Sequence, residues 1–369
     1  MKRSEMMKSL NRVKLENKRV LLRLDLDVPI DSKGNIKDDS RLRESLDTLK
    51  FLKKAKQVII MGHMGRPKAI DNKLKLDKVA KRLSKLAKIK IKKINNFDIP
   101  KDKYVMLENL RFYEEEKKND TNFSKCLASL ADIYVNDAFA VSHRKCASIV
   151  GVTKHIKSYP GLKLKRDVDE IFKVTKNIKK PFILVLGGAK IDKLNILKNL
   201  VKKADHILIG GAMMFTFLKA QGYEVGKSKC DDHELNLACK LLSKKVILPI
   251  DVILNDGRMK LVGEIPKNRS GYDIGPMSVK LFSDFLNNAK TIIWNGPMGL
   301  FELKPFDKAT KEIAKIIVKS DAKSLVGGGD TLYSIKKYSK KFTYSCTAGG
   351  AFLELISGKK LEGIKALEK

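Results

Sequence analysis

Residues 326–338 read VGGGDTLYSIKKY. An apolar approach ends in three glycines, an acid and a threonine. Leu332, Ile335 and Tyr338 then recur at helical spacing. Strand, glycine turn and helix in that order form the repeating unit of a parallel sheet. The first turn of a helix leaves backbone N–H groups unpaired, and the helix dipole adds partial positive charge there. Gly327, Gly328 and Gly329 keep side chains away from that donor-rich start, so an anion such as phosphate can approach it. Asp330 would repel phosphate unless a cation sat between them, which points to a metal–phosphate pair. A plain glycine turn capped by Asp330 and Thr331 is the competing reading. On this stretch alone the two are evenly matched.

The same unit recurs along the chain. VLLRLDLDV (20–28), QVIIMGH (57–63), YVMLENL (104–110) and DIYVNDAF (132–139) read as strands. So do FILVLGGAK (182–190), HILIGGA (206–212), KVILPIDVIL (245–254), TIIWNGPMG (291–299) and SLVGGG (324–329). Amphipathic runs separate them. SRLRESLDTLKFLKKA carries Leu42, Leu46, Leu49 and Leu52 at helical spacing, and KPFDKATKEIAKIIVK (304–319) has the same character. The expected fold is α/β: two Rossmann-like doubly wound parallel-sheet domains. GLKLKRDVDEIFKVTKNI (161–178) lies between the two sets as a connecting helix. Ligands of open α/β sheets bind at the carboxyl ends of strands. Here those ends carry Asp25, His63, Arg66, Asp137, Lys190, Gly210, Gly211, Asn295 and Asp330. Their spread over both halves predicts a cleft with one ligand on each side.

A length of 369 residues fits two domains. No apolar run approaches the ~18 residues of a membrane span, and the basic N-terminus lacks the apolar core of a signal peptide. The five cysteines are scattered without a CxxC pair, which argues for reduced thiols in a cytoplasm and against a zinc site. The net charge of +34 invites a nucleic-acid reading. The basic residues, however, are mostly lysine, spread evenly, with no recognition helix and no aromatic RNA-binding run. Nucleic acid is therefore not expected as the main partner, although attraction to polyanionic substrates is. Arginine is more selectively placed: of thirteen, eleven precede residue 170. Its planar fork grips carboxylate and phosphate as lysine cannot. Arg41, Arg66, Arg111 and Arg144 stand in glycine-rich, acidic or capping contexts; Arg12, Arg82 and Arg166 read as solvated helix surface.

GYEVGKS (222–228) nearly spells a phosphate-binding loop, but it has three residues between its glycines where four are needed, and it follows a helical run. No GxGxxG follows a strand, and no Ser-His-Asp or Cys-His arrangement announces a nucleophile. Glycine loops, arginines, a few lysines and an acid suit phosphoryl transfer, in which the protein positions groups and neutralises charge.

From about residue 13 to the end the sequence resembles the phosphoglycerate kinase family. RLDLDVP, GHMGRPK, LENLRFYEEE, YVNDAFAVSHR, LGGAK, KAQGYEVGKS, DIGP, WNGPMGLFE and VGGGDT occur in family order. The resemblance implies Mg²⁺-dependent phosphoryl transfer between 1,3-bisphosphoglycerate and ADP, giving 3-phosphoglycerate and ATP, the first ATP-yielding step of glycolysis. It implies a triose domain over 1–160, a hinge helix over 161–178, a nucleotide domain over 179–352 and a tail, 353–369, returning to the first domain. In the first domain Asp25 would hold the substrate hydroxyl with Asp27 beside it, and Arg41, His63, Arg66, Arg111 and Arg144 would form a basic pocket for the distal phosphate and carboxyl end. In the second, Gly188, Gly211 and Gly271 would line the adenosine site, with Asn295 and Pro297 beneath it and Glu302 on the ribose. Gly327, Gly328, Gly329, Asp330 and Thr331 would meet the phosphates, Asp330 through Mg²⁺. Arg41, Lys190, Gly328 and Gly329 would act on the transferring group, with Lys193 nearby on the nucleotide. A cytoplasmic monomer with no membrane partner is implied as well.

The chain departs from the family pattern at several points. Asp27 stands where asparagine is usual, which adds negative charge near a polyanion. GGAKIDK is one residue shorter than usual between Lys190 and Lys193. Ala212 and Ala348 replace glycines, and Cys146 replaces a histidine. None removes a group with an obligatory charge role, so an active enzyme is expected. A binding protein that keeps the fold without turnover, and polyanion binding as a second role, are the alternatives.

Overall fold

The computed structural model describes residues 7–188 and 202–368, so Lys190 and Lys193 lie outside the described residues. The chain divides into two compact units, Met1–Asp169 with Lys360–Lys369, and Glu170–Lys359.

The first unit is built on a six-stranded sheet of β1 (Arg19–Arg23), β2 (Gln57–Met61), β3 (Ile91–Lys93), β4 (Tyr104–Met106), β5 (Ile133–Asn136) and β6 (Ser158–Pro160). Its order is β3-β4-β2-β1-β5-β6 and every pairing is parallel. Strands covered on both faces read as unbroken apolar runs. Val20, Leu21 and Leu22 of β1 and Val58, Ile59 and Ile60 of β2 are accordingly fully buried. Beyond β1 the alternation returns: Leu24, Leu26 and Val28 join the core, which turns Asp25 and Asp27 the other way. Of the expected tail, 353–369, only Lys360–Lys369 belongs to this unit, where Gly363 N–H donates to the Ser142 carbonyl at 2.8 Å; 353–359 stays with the second.

The second unit carries six parallel strands, β7 (Phe182–Leu186), β8 (His206–Ile209), β9 (Val246–Ile247), β13 (Thr291–Asn295), β14 (Lys323–Gly327) and β15 (Tyr344–Cys346). Their order is β15-β14-β13-β7-β8-β9. Strands β10 (Asp251–Leu254), β11 (Met259–Leu261) and β12 (Gly271–Ile274) form a separate antiparallel sheet in the order β11-β10-β12. The run 245–254, expected as one strand, is therefore two strands in two sheets. Pro249 lies between them and cannot donate to a ladder.

Helix readings need similar trimming. The run from Ser40 breaks into Ser40–Glu44 and Leu46–Phe51, because the Ser45 hydroxyl donates back to the Leu42 carbonyl at 2.7 Å. The run over 304–319 becomes helical only at Lys308–Lys319. The helix after the glycines spans Gly329–Ser334, so Ile335 is its cap and Tyr338 lies beyond it. The connecting helix is Leu162–Lys176, and the boundary between the units falls within it.

Candidate active site

In the first unit the site is assembled from strand tips and loops held by backbone hydrogen bonds. Gly62 packs where a Cβ would lie 2.5 Å from the Leu26 side chain, and Gly65 adopts φ +68°. Asn109 clamps the loop that follows β2. Its amide donates to the carbonyls of Met64 at 2.8 Å and Leu74 at 2.9 Å, and its oxygen accepts from Met64 N–H at 3.2 Å and Arg111 N–H at 3.1 Å. Arg111 Nη1 donates to the Gly65 carbonyl at 2.6 Å. Asp27 accepts from Gly65 N–H at 2.8 Å, and its carbonyl accepts from Arg41 Nη1 at 2.5 Å. Arg41 Nη1 also lies 3.6 Å from Asp25 Oδ1 and 3.9 Å from Asp27 Oδ2.

Charge is crowded here. His63 is 2 % exposed, and its pKa is held well below the ordinary 6.5 by burial first, then by Arg23, Arg111, Arg144 and Arg41. The ring is therefore neutral near pH 7. Burial and Arg144 likewise push Arg111 down to about 10. Burial and Arg66 lower Arg144, while Cys146 and Asp27 oppose them. His143, pushed to about 4 by burial and Arg144, faces the same group of cations. The expected residues Asp25, Asp27, Arg41, His63, Arg66, Arg111 and Arg144 thus fall into one cluster linked by contact or by field. His63 contributes a hydrogen-bonding edge to it, where the sequence suggested a cation.

The second unit holds a cavity of about 400 Å³ in whose lining glycines alternate with apolar and charged side chains. Gly188, Gly211, Gly271, Pro297, Glu302 and Asp330 line it together with Phe215, Tyr272 and Leu300. Gly211 has φ +60°, and a Cβ there would meet Gly188 N at 2.3 Å; at Gly271 it would meet the Phe215 ring at 2.4 Å. Asn295 and Thr331 are buried beneath this floor. Asn295 Nδ2 donates to the Gly327 carbonyl at 2.6 Å, and Gly296 N–H donates to Thr331 Oγ1 at 2.8 Å, so both side chains fasten the glycine loop. Gly328 has φ +110°, and Leu332 N–H is the first to bond back, to the Gly328 carbonyl at 3.0 Å. The amides ahead of it, at Gly329, Asp330 and Thr331, start the helix without partners within it.

Sequence reasoning missed Arg23, 1 % exposed inside an apolar strand. Its signal was the lone arginine interrupting VLLRL. It also passed over Lys227 in the rejected GYEVGKS. That segment is indeed a loop after the Met213–Ala220 helix, yet Lys227 and Lys229 line the cavity.

The family model described as phosphoglycerate kinase matches residues 10–359. The phosphoglycerate kinase of Dictyoglomus turgidum is 43 % identical over 382 residues, covering 96 % of each chain. The chain belongs to the phosphoglycerate kinase family. Within it, the cytosolic phosphoglycerate kinase of Nicotiana tabacum is 40 % identical, with 98 % of each chain covered. The solved structure of phosphoglycerate kinase from Coxiella burnetii aligns with a TM-score of 0.80 at 37 % identity, covering 98 % of both chains. The family works on nucleotide substrates and small molecules. Among the described residues no helix is long and apolar enough to cross a membrane.

Proposed function

We propose that the chain transfers a phosphoryl group reversibly between 1,3-bisphosphoglycerate and ADP, giving 3-phosphoglycerate and ATP: a glycolytic phosphotransferase with a carboxyl acceptor. The observation that carries this reading is the charge pattern around His63. Arg23, Arg41, Arg111 and Arg144 all act on that one ring, opposed at close range by Asp25 and Asp27. A small, multiply charged acid relieves such a surplus of cations.

In this reading the first unit is the triose domain. Arg66, Arg111 and Arg144 take the distal phosphate, Asp25 the hydroxyl, and His63 donates to an anionic oxygen. The second unit is the nucleotide domain. Gly188, Gly211, Gly271 and Pro297 give the nucleoside a floor that no side chain blocks, Glu302 at the rim accepts from the ribose, and the bare helix start at Gly328 and Gly329 meets the phosphates. The acceptor is already a carboxylate, so no strong base is needed. Arg41 and Lys190 neutralise the equatorial oxygens of the transferring group, with Lys193 on the nucleotide side. Transfer requires a state in which the bound triose and the bound nucleotide meet.

Mg²⁺ fits the donor set as a nucleotide-borne ion. Among the described residues no cluster of three or more acidic, histidine or cysteine side chains could cage a metal, and of the two acids lining the cavity, Glu302 and Asp330, it is Asp330 that lies in the first turn of the helix after the glycines. Mg²⁺ commonly binds through one carboxylate plus substrate phosphates and water. Asp330 would hold it there, and when bound it would neutralise phosphate charge. A monomer in the cytoplasm is the setting we propose; the cytosolic tobacco relative and five cysteines outside any disulfide support the compartment.

Incubating the purified protein with Mg²⁺, ATP and 3-phosphoglycerate, and trapping acyl phosphate with hydroxylamine, tests the reading. Hydroxamate should form only when all components are present, and Arg41→Ala should lose most of the rate. No hydroxamate above the protein-free control, or an undiminished Arg41→Ala rate, would overturn it.

A further inference from the structure

We propose that Glu116 is a positioning residue: through Ser148 and Arg23 it fixes the ring of His63 so that Nε2–H faces the acceptor pocket. The proposal rests on the reading of His63 as a substrate-contacting group.

Glu116 lies on the short Glu114–Lys118 helix, whose Glu114 pairs with Lys118 at the surface. Glu116 instead points inward and is 2 % exposed. An acid buried this deeply is costly unless its oxygens are satisfied. Here both are used on one residue. Ser148 N–H donates to Oε2 at 2.9 Å, and the Ser148 hydroxyl donates to Oε1 at 2.6 Å. A single turn of π-helix, Ala147–Gly151, presents both donors. Gly151 permits this packing, since a Cβ there would lie 2.0 Å from Ser124 Oγ. The Tyr134 hydroxyl pins the same turn by donating to the Ser148 carbonyl at 2.6 Å.

With its hydrogen directed at Glu116, the Ser148 oxygen offers a lone pair to Arg23, whose Nε donates to it at 2.9 Å. The buried guanidinium is then held at three points. Nη1 donates to the Leu24 carbonyl, and Nη2 lies 2.9 Å from His63 Nδ1. A guanidinium only donates, so Nδ1 must accept. A neutral imidazole has one hydrogen, and it is therefore on Nε2. Nε2 lies 3.8 Å from Asp27 Oδ2, on the pocket side of the ring. The ring thus offers one directed donor to an anionic ligand without adding a further charge to the arginine cluster. The chain also accounts for a buried acid, serine and arginine that the reaction itself does not use.

The test is long-range ¹⁵N–¹H correlation on protein labelled with ¹⁵N-histidine, recorded without ligand, together with steady-state kinetics. The His63 signal, assigned by its loss in His63→Gln, should show hydrogen on Nε2 and an acceptor at Nδ1. Glu116→Ala should release the ring into a mixture of both tautomers. It should also raise KM for 3-phosphoglycerate about tenfold, the scale of one misdirected hydrogen bond to a charged oxygen, with KM for ATP unchanged. Glu116→Gln, which keeps an acceptor for the serine hydroxyl, should recover part of the effect. Ser148→Ala is a smaller change that reads the same link if Glu116→Ala does not fold. Hydrogen on Nδ1 in the unaltered protein, or variants that keep a pure Nε2–H ring and an unchanged KM, would overturn the proposal. Redistribution of the tautomer at constant KM would support the chain of contacts while removing His63 from the acceptor site.

Discussion

In the proposed reading the two units meet anions by different physics. The first uses side-chain charge: Arg41, Arg111 and Arg144 converge on His63, and their mutual repulsion and burial are visible in lowered pKa values for Arg111 and Arg144. The second brings backbone close to the cavity: Gly188, Gly211 and Gly271 line it where a Cβ at Gly211 or Gly271 would clash, and Gly328 opens a helix whose first amides have no partner within it. A pocket built from charge tolerates some change in shape but little in charge. A pocket built from backbone tolerates changes at its polar rim but hardly any added atom in its floor. The same chain therefore offers two opposite responses to mutation.

The largest effect of a single substitution should come from one methyl group in the second unit. Gly211→Ala places a Cβ 2.3 Å from the Gly188 nitrogen at φ +60°. Left-handed backbone and overpacking together cost about 3 kcal/mol. Urea unfolding should report that loss, and calorimetric titration should show ADP binding abolished with 3-phosphoglycerate binding intact. ADP binding within twofold of the unaltered protein would mean that the glycine floor is not used.

Next comes removal of one charge from the first unit. Arg111→Met loses the hydrogen bond to Gly65 and one cation of the cluster. A lost hydrogen bond to a charged group is worth about 2 kcal/mol, so KM for 3-phosphoglycerate should rise roughly thirtyfold while KM for ATP stays constant. An equal rise in both would erase the contrast between the units.

Acid should separate the units as well. His63 and His143, the latter at about 4, bind protons more weakly when folded than when unfolded. The unfolded chain then holds more protons below about pH 6.5, and these groups remove stability as pH falls from there toward 4. Asp137 and Asp273 do the reverse. Burial raises them to about 6 and about 7, so their folded forms bind protons more tightly and gain stability as pH falls through those values. The first unit contains both histidines and one raised acid, and the second contains only the raised Asp273 among these four groups. Lowering pH from 7 to 5 should weaken the first relative to the second by on the order of 4 kcal/mol, measured by hydrogen exchange resolved by segment. Parallel weakening of the two would contradict the assignment of a neutral buried His63.

The smallest effect concerns Asp27, an acid at the edge of a cationic pocket. Asp27→Asn should lower KM for 3-phosphoglycerate about threefold at low ionic strength, and the gain should fade in salt because the carboxylate is partly solvated. A rise in KM would show that the carboxylate supports the pocket more through its bond to Gly65 than it opposes the ligand through its charge.

Much of the architecture was legible because parallel strands covered on both faces are apolar throughout, and β1, β2, β5, β7 and β13 stand out for that reason. The short strands β3, β6, β11, β12 and β15 were not read, since three or four residues carry no period; β4, equally short, was read only through the longer apolar run YVMLENL around it. The split of residues 245–254 between two sheets was likewise hidden, because each half looks like any apolar strand. Within the site, Asp25, Arg41, Arg111, Arg144 and the glycines were legible from their local company. Arg23, Glu116 and Ser148 were not: a buried ionic chain linking positions 23, 63, 116 and 148 leaves no local pattern.

Residue order alone determined two parallel-sheet α/β domains and the family, because periodicity, glycine placement and motif order are local properties written along one dimension. Only tertiary structure decided that His63 is buried against Arg23, that Asn295 and Thr331 fasten a loop, and that Lys227 lines a cavity. Protonation and hydrogen-bond direction depend on burial and on neighbours brought together from distant positions, and those are fixed only when the chain is packed.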